Sequence, residues 1–193
     1  FLHHANDRRD ILLWMILVGV AMRLPMLPST VILEDDIYRY LWDGAAVANG
    51  LNPYRIVPAA LDPNHPDHDA LPPPVRSLAE AAGPVAARIN HPDMTTLYPP
   101  VAQGIFTSAY LIKPWSVPAW RAVLLAFDAA ALALLIALLG RLGRPPLWAA
   151  LYWCNPLLVK EILNSGHMDV ALAPLVLAAL LLTMRQRHLA AVE

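Results

Sequence analysis

The hydrophobic residues of this chain gather into long blocks rather than into short alternating runs. Residues 11–27, 119–139, 147–163 and 168–184 are almost wholly apolar and end in arginine, proline or glycine clusters. A bilayer core requires about 20 apolar residues in a helix. The stretch 119–139 meets that length unaided, and the other three approach it. A fifth apolar stretch, 99–115, differs because it carries Gln103, Thr107 and Ser108 and opens on two prolines. The pattern predicts an all-α chain, a polytopic transmembrane helical bundle.

Arginine placement orders these blocks. Arg8/Arg9, Arg141/Arg144 and Arg185/Arg187 flank three of the apolar stretches. If residues 98–118 lie at the interface or re-enter, all three pairs fall on the cytoplasmic side, as the positive-inside rule favours. If those residues cross, two of the pairs fall outside. The first arrangement gives four spans, a cytoplasmic N-terminus and a long outer loop, 28–118, carrying amphipathic interfacial helices. It also sets the turn 164–169 on the outer side.

The outer loop is acidic and rich in proline. Glu34, Asp35, Asp36, Asp43, Asp62, Asp67, Asp69, Glu80 and Asp93 fall within 28–97, against Arg39, Arg55, Arg76 and Arg88. Loops of this length are usually functional or disordered. The densest stretch, Glu34-Asp35-Asp36-Ile37-Tyr38-Arg39-Tyr40-Leu41-Trp42-Asp43-Gly44, directly follows the first apolar block. Charges at a membrane exit point to function. On a helix, Asp35, Tyr38, Arg39, Trp42 and Ala46 share a face, and that mixture of carboxylate, guanidinium and aromatic ring suits a charged, sugar-like ligand. An interfacial helix with solvated charges is the plainer alternative. Gly50 and Pro53 end this helix, the first as a left-handed cap.

Composition narrows the partners. The chain is 58% hydrophobic and 15% charged, with mean hydropathy +0.46, more apolar than ordinary soluble domains. A net charge of −1 and the lack of a basic run exclude nucleic acid as a partner. Cys154 is a single thiol and reads as a small buried hydrophobe. His65-Pro66-Asp67-His68-Asp69 has ligand-type residues, but Pro66 interrupts any helical spacing, so no metal and no cofactor is expected. Beginning at Phe1 and stopping after an apolar block, the chain is expected to be part of a longer protein. A second polar group, Lys160, Glu161, Asn164, His167 and Asp169, surrounds the short turn near residue 165. Asp169 is also placed to N-cap the last span.

The run from Asp36 to Gly44, followed by Asn52-Pro53-Tyr54, Asn90-His91-Pro92-Asp93 and Thr96-Leu97-Tyr98-Pro99-Pro100, resembles the integral-membrane GT-C glycosyltransferases. Within them it is most similar to bacterial polyprenyl-phosphate-sugar-dependent enzymes, the α-mannosyltransferases among them, with residues 1–193 matching the N-terminal part of a membrane domain. The resemblance implies transfer of a hexose, mannose first, from a polyprenyl-phosphate donor to a glycan or lipid hydroxyl at the outer face of the cell membrane. It implies Asp35 or Asp36 as the catalytic base. It also makes Arg39, Tyr38, Trp42, Tyr54, His91, Tyr98, His167 and Asp169 substrate-binding candidates, with Arg39 and His167 addressing the donor phosphate. A guanidinium matches phosphate oxygens bidentately, although an intrahelical ion pair is the alternative for Arg39. Membrane lipids are the remaining partner. A fragment of a transporter or lipid-linked-sugar flippase is the competing reading; transporters, however, keep their polar groups at mid-membrane in broken helices, whereas here they gather at one face.

Overall fold

A computed structural model gives the fold, describing residues 2–32 and 34–190, with side chains for 9–32 and 34–184. Every regular element among the described residues is helical. The long helices are α1 (Leu2–Arg23), α2 (Asp36–Ala48), α3 (Pro73–Ala82), α4 (Pro100–Ile112) and α5 (Val117–Arg141). Two single turns follow, α6 (Ala150–Trp153) and α7 (Pro156–Val159), and then α8 (Leu172–Ala190). The chain divides into two compact units: residues 31–123, and residues 1–30 together with 124–193.

The unit 31–123 contains the acidic, proline-rich loop, which is folded around its own core. Trp42, Ala45 and Ala46 of α2 pack with Ile56, Leu61, Ile89 and the apolar face of α3. Proline suits this architecture because it opens helices at their first turn, where no N–H bond is lost. It does so in α3, in α4 and in the 3-10 turns Pro53–Arg55 and Pro58–Leu61. Gly50 has φ +73°, the left-handed backbone that ends α2 as expected. At 13 residues, α4 is about 20 Å long, shorter than the roughly 30 Å core of a bilayer. It lies along α2, burying Ala102, Gln103, Phe106 and Ala109.

In the other unit, Met15 of α1 packs with Leu132, Leu139, Ala149 and Trp153. The two apolar blocks beyond residue 146 depart from the expectation of two simple spans. The first is interrupted at Asn155, whose side chain accepts from the Leu157 amide while Pro156 opens a new turn. That turn runs into a π-helical turn, Lys160–Asn164, and Gly166 at φ +77° reverses the chain. Pro156–Asn164 and Met168–Met184 meet at a bend of 105°. Among the described residues one helix, Val117–Arg141, is long and apolar enough to cross a membrane by itself, and the bent pair makes a second if it is one span. Of the arginine pairs used to order the blocks, the side chains of Arg8, Arg185 and Arg187 lie outside the described residues.

Candidate functional site

Asp36 opens α2, and its half-buried carboxylate reaches the segment 90–98. Asn90 donates its amide Nδ2 to Asp36 Oδ1. The hydroxyls of Tyr40 and Tyr98 both stand 3.4 Å from Oδ2, long for an O–H···O bond. A cavity of about 170 Å³ opens here, lined by Asp36, Arg39, Asn90, His91, Thr96 and Tyr98, among others. Asp35 precedes it as the N-cap residue, exposed and without a side-chain capping bond.

Arg39 is committed to backbone. Its Nη2 donates to the carbonyl oxygens of Asn90 (2.7 Å) and His91 (2.8 Å), and Nη1 to that of Met94 (3.0 Å). Burial pulls its pKa below the ordinary arginine value, opposed chiefly by the charge of Asp43. A guanidinium stays protonated even so. Three carbonyls turned to one side chain fold the loop into a tight bend, in which His91 takes φ +42°. Such backbone is uncommon outside glycine and persists where its surroundings hold it. Three of its five N–H groups are thereby given to the loop.

Beneath the cavity lies a network that the sequence did not single out. Asp43 is 1% exposed, and Gln103 Nε2 donates to its Oδ2 and to Thr96 Oγ1, each at 3.1 Å. Burial pushes the Asp43 carboxyl above its usual range, opposed by the Thr96 and Gln103 hydrogen bonds and the Arg39 charge. Burial likewise raises Tyr98, whose ring meets Tyr40 edge-on at 5.1 Å. Tyr54 donates to the Tyr98 carbonyl at 2.6 Å, so these two predicted residues do come together.

Other expected residues have different surroundings. Trp42 is 1% exposed in the core and stacks on Trp115 at 6.4 Å. Tyr38 is half-buried and accepts a hydrogen bond from Arg88 Nη1 at 2.9 Å. His65 and His68 serve local turns, through the Asp67 amide and the Ala60 carbonyl.

His167 and Asp169 belong to the other unit. His167 Nε2 lies 3.2 Å from Glu161 Oε2, and Lys160 Nζ donates to Glu161 Oε1 at 2.9 Å. His167, Glu161 and Asp169 edge a largely apolar cavity of about 370 Å³ formed with Tyr152, Leu158, Ile162 and Val170. Asp169 is exposed in the first turn of Met168–Ala171, whose N-cap position is taken by His167. Asp128 of this unit went unnoticed in the sequence. It is wholly buried, receives Arg23 Nε at 2.6 Å and Tyr152 Oη at 2.8 Å, and a carboxylate in the middle of the clearest apolar block was its signal.

No curated protein and no solved structure matches the chain. A family model described as alpha-(1->6)-mannopyranosyltransferase, N-terminal domain, matches residues 3–193. With that match covering nearly its whole length, the chain belongs to the α-(1→6)-mannopyranosyltransferase family, as an N-terminal domain.

Proposed function

We propose that residues 1–193 form the N-terminal part of a multi-pass GT-C membrane mannosyltransferase, with Asp36 as the base at an outer-face site. In the reaction the acceptor hydroxyl oxygen bonds to the anomeric carbon of mannose and its proton passes to Asp36. The bond from that carbon to the polyprenyl-phosphate oxygen breaks, and its electron pair leaves with the phosphate. One observation carries the reading: Asp36 presents a carboxylate to a cavity, held by Asn90 on one oxygen and met only at long range on the other. A base must stand within hydrogen-bond reach of its proton, and a substrate hydroxyl can replace two long tyrosine contacts. Asp35, exposed beside it, is the second carboxylate of the pair. The apolar helix Val117–Arg141 supports placement in a membrane. The brevity of α4 supports its lying at the outer interface rather than crossing.

The test is transfer by the full-length protein from radiolabelled polyprenyl-phosphate mannose. The wild type is expected to use this donor, and Asp36→Asn to lose about 10²–10⁴-fold in rate while still inserting. Glu34→Gln should be mild. Turnover of Asp36→Asn near that of the wild type overturns the base, and transfer from a nucleotide sugar alone overturns the donor. Labelling of a cysteine at Lys113 exclusively from the cytoplasm overturns the topology.

A further inference from the structure

Arg39 gives three of its N–H groups to its own loop, and we propose that Arg88, held against Tyr38, is the cation that binds the leaving phosphate. This rests on the reading that donor sugar is transferred at Asp36. The cations of the unit 31–123 sort themselves by geometry. Arg39 holds three carbonyls and Arg121 is buried to 1% exposure. Arg76 stands 3.6 Å from Asp69. Lys113 follows the far end of α4, about 20 Å from the start of that helix beside Tyr98. Arg55 is exposed on the Pro53–Arg55 turn, where, among the described residues, no ring or hydroxyl holds its guanidinium as Tyr38 holds that of Arg88.

Arg88 is placed differently. It ends the 3-10 turn Gly83–Arg88, and the next residue, Ile89, is buried in the core. Its exposed guanidinium donates to Tyr38 Oη at 2.9 Å and lies 5.3 Å from the centre of that ring. The partner is a neutral hydroxyl and an aromatic face rather than a carboxylate. One of its five N–H groups meets Tyr38, and the fork retains donors for a phosphate. A long side chain fixed in advance loses less freedom when it binds.

The segment 88–90 then serves both ends of the reaction. Asn90 reaches Asp36, and Arg88, two residues earlier, reaches Tyr38, two residues later on α2. Positions two apart on a helix point roughly 200° away from each other, which keeps the cation from collapsing onto the base. Tyr38 is a positioning residue in this arrangement.

The experiment measures apparent KM for donor and acceptor in full-length wild type, Arg88→Gln, Arg88→Lys and Tyr38→Phe. Each protein is assayed with polyprenyl-phosphate mannose and with a nucleotide-diphosphate mannose, and thermal unfolding is recorded for each. Loss of charge-assisted hydrogen bonds should raise the donor KM of Arg88→Gln about 10–100-fold. Acceptor KM and unfolding temperature should stay near wild type. Arg88→Lys should recover part of the loss by restoring the charge, and Tyr38→Phe should fall between wild type and Arg88→Gln. Arg76→Gln serves as the remote control. A donor KM unmoved in Arg88→Gln, or one no larger than the change in acceptor KM, overturns the assignment. So does a lowered unfolding temperature in Arg88→Gln that Arg88→Lys restores without restoring donor KM. Use of the nucleotide donor alone by the wild type would remove the polyprenyl-phosphate reading, and the same comparison on that donor would still decide Arg88.

Discussion

A β-carbon added to Gly44 would stand 2.4 Å from the carbonyl oxygen of Phe106. The backbone of α2 therefore meets that of α4 where only hydrogen fits, between the core residues Trp42 and Ala45. Gly44→Ala should force the helices apart and destabilise the protein by about 1–3 kcal/mol, the usual range for overpacking. Gly104, on α4 with open space around it, supplies the comparison. Gly104→Ala should be neutral or slightly stabilising because alanine favours helix. Thermal unfolding of both variants in detergent checks the pair, and equal effects would mean the close approach is not what sets stability here.

Arg39 gives a second expectation, through the loop it holds. Arg39→Lys keeps the charge but replaces a planar fork with a point donor, which cannot span the carbonyls of Asn90, His91 and Met94 as the fork does. The loop should loosen, and Asn90 should lose its register on Asp36. Transfer is expected to fall with kcat more affected than donor KM, the opposite of the split expected for Arg88→Gln. Amide hydrogen exchange across residues 90–98 should rise in the same variant. Unchanged exchange together with a raised donor KM would return Arg39 to the phosphate.

These side chains mark how far the sequence could be read. Helical period sets Arg39 and Trp42 about one turn apart on α2, but periodicity does not say which neighbour will meet each. The core of the unit 31–123 covers Trp42, because Ile56, Leu61 and α3 return to it from the proline-rich loop. Gly50 and Pro53 were legible because backbone geometry restricts them locally. The Asp36–Asn90 and Tyr54–Tyr98 contacts join residues more than 40 apart, and nothing local foretells them. The break at Asn155–Pro156 was legible from proline alone and was hidden by reading hydrophobicity over a longer window.

Asp43 supplies a pH dependence whose sign follows from its burial. Its folded-state pKa lies above the ordinary 3.8, so the folded protein binds the proton more tightly than the unfolded chain does. Stability from this group is full below that ordinary value and is lost as pH rises through the folded pKa. Asp43→Asn removes the titration and keeps the shape. The unfolding temperature of the variant, relative to wild type, should therefore climb as pH rises from about 3.8 towards neutrality. A difference that stays flat or falls over that range would show that the hydrogen bonds from Gln103 and Thr96, and not burial, dominate the carboxylate.

The ion pair of Arg23 and Asp128 gives the last expectation. Arg23 Nε meets Asp128 Oδ2 at 2.6 Å, Nη1 donates to the carbonyls of Gly19 (2.9 Å) and Trp153 (2.7 Å), and the guanidinium lies 3.4 Å from the centre of the Trp153 ring. Both side chains are almost fully buried, at 2% and 0% exposure. Neither can turn to water if its partner is removed, and Arg23→Met leaves Asp128 with the Tyr152 hydroxyl as its remaining hydrogen bond. Breaking such a pair usually costs about 3–5 kcal/mol, whereas replacing both members by apolar residues is often neutral. Arg23→Met and Asp128→Leu are each expected to unfold at much lower temperature than wild type, and the double variant to recover most of the loss. The recovery has a limit, because methionine cannot reproduce the bonds to the Gly19 and Trp153 carbonyls. A double variant as unstable as the sum of the two singles would assign the stability to those carbonyl bonds and to the stacking on Trp153 rather than to the charge pair.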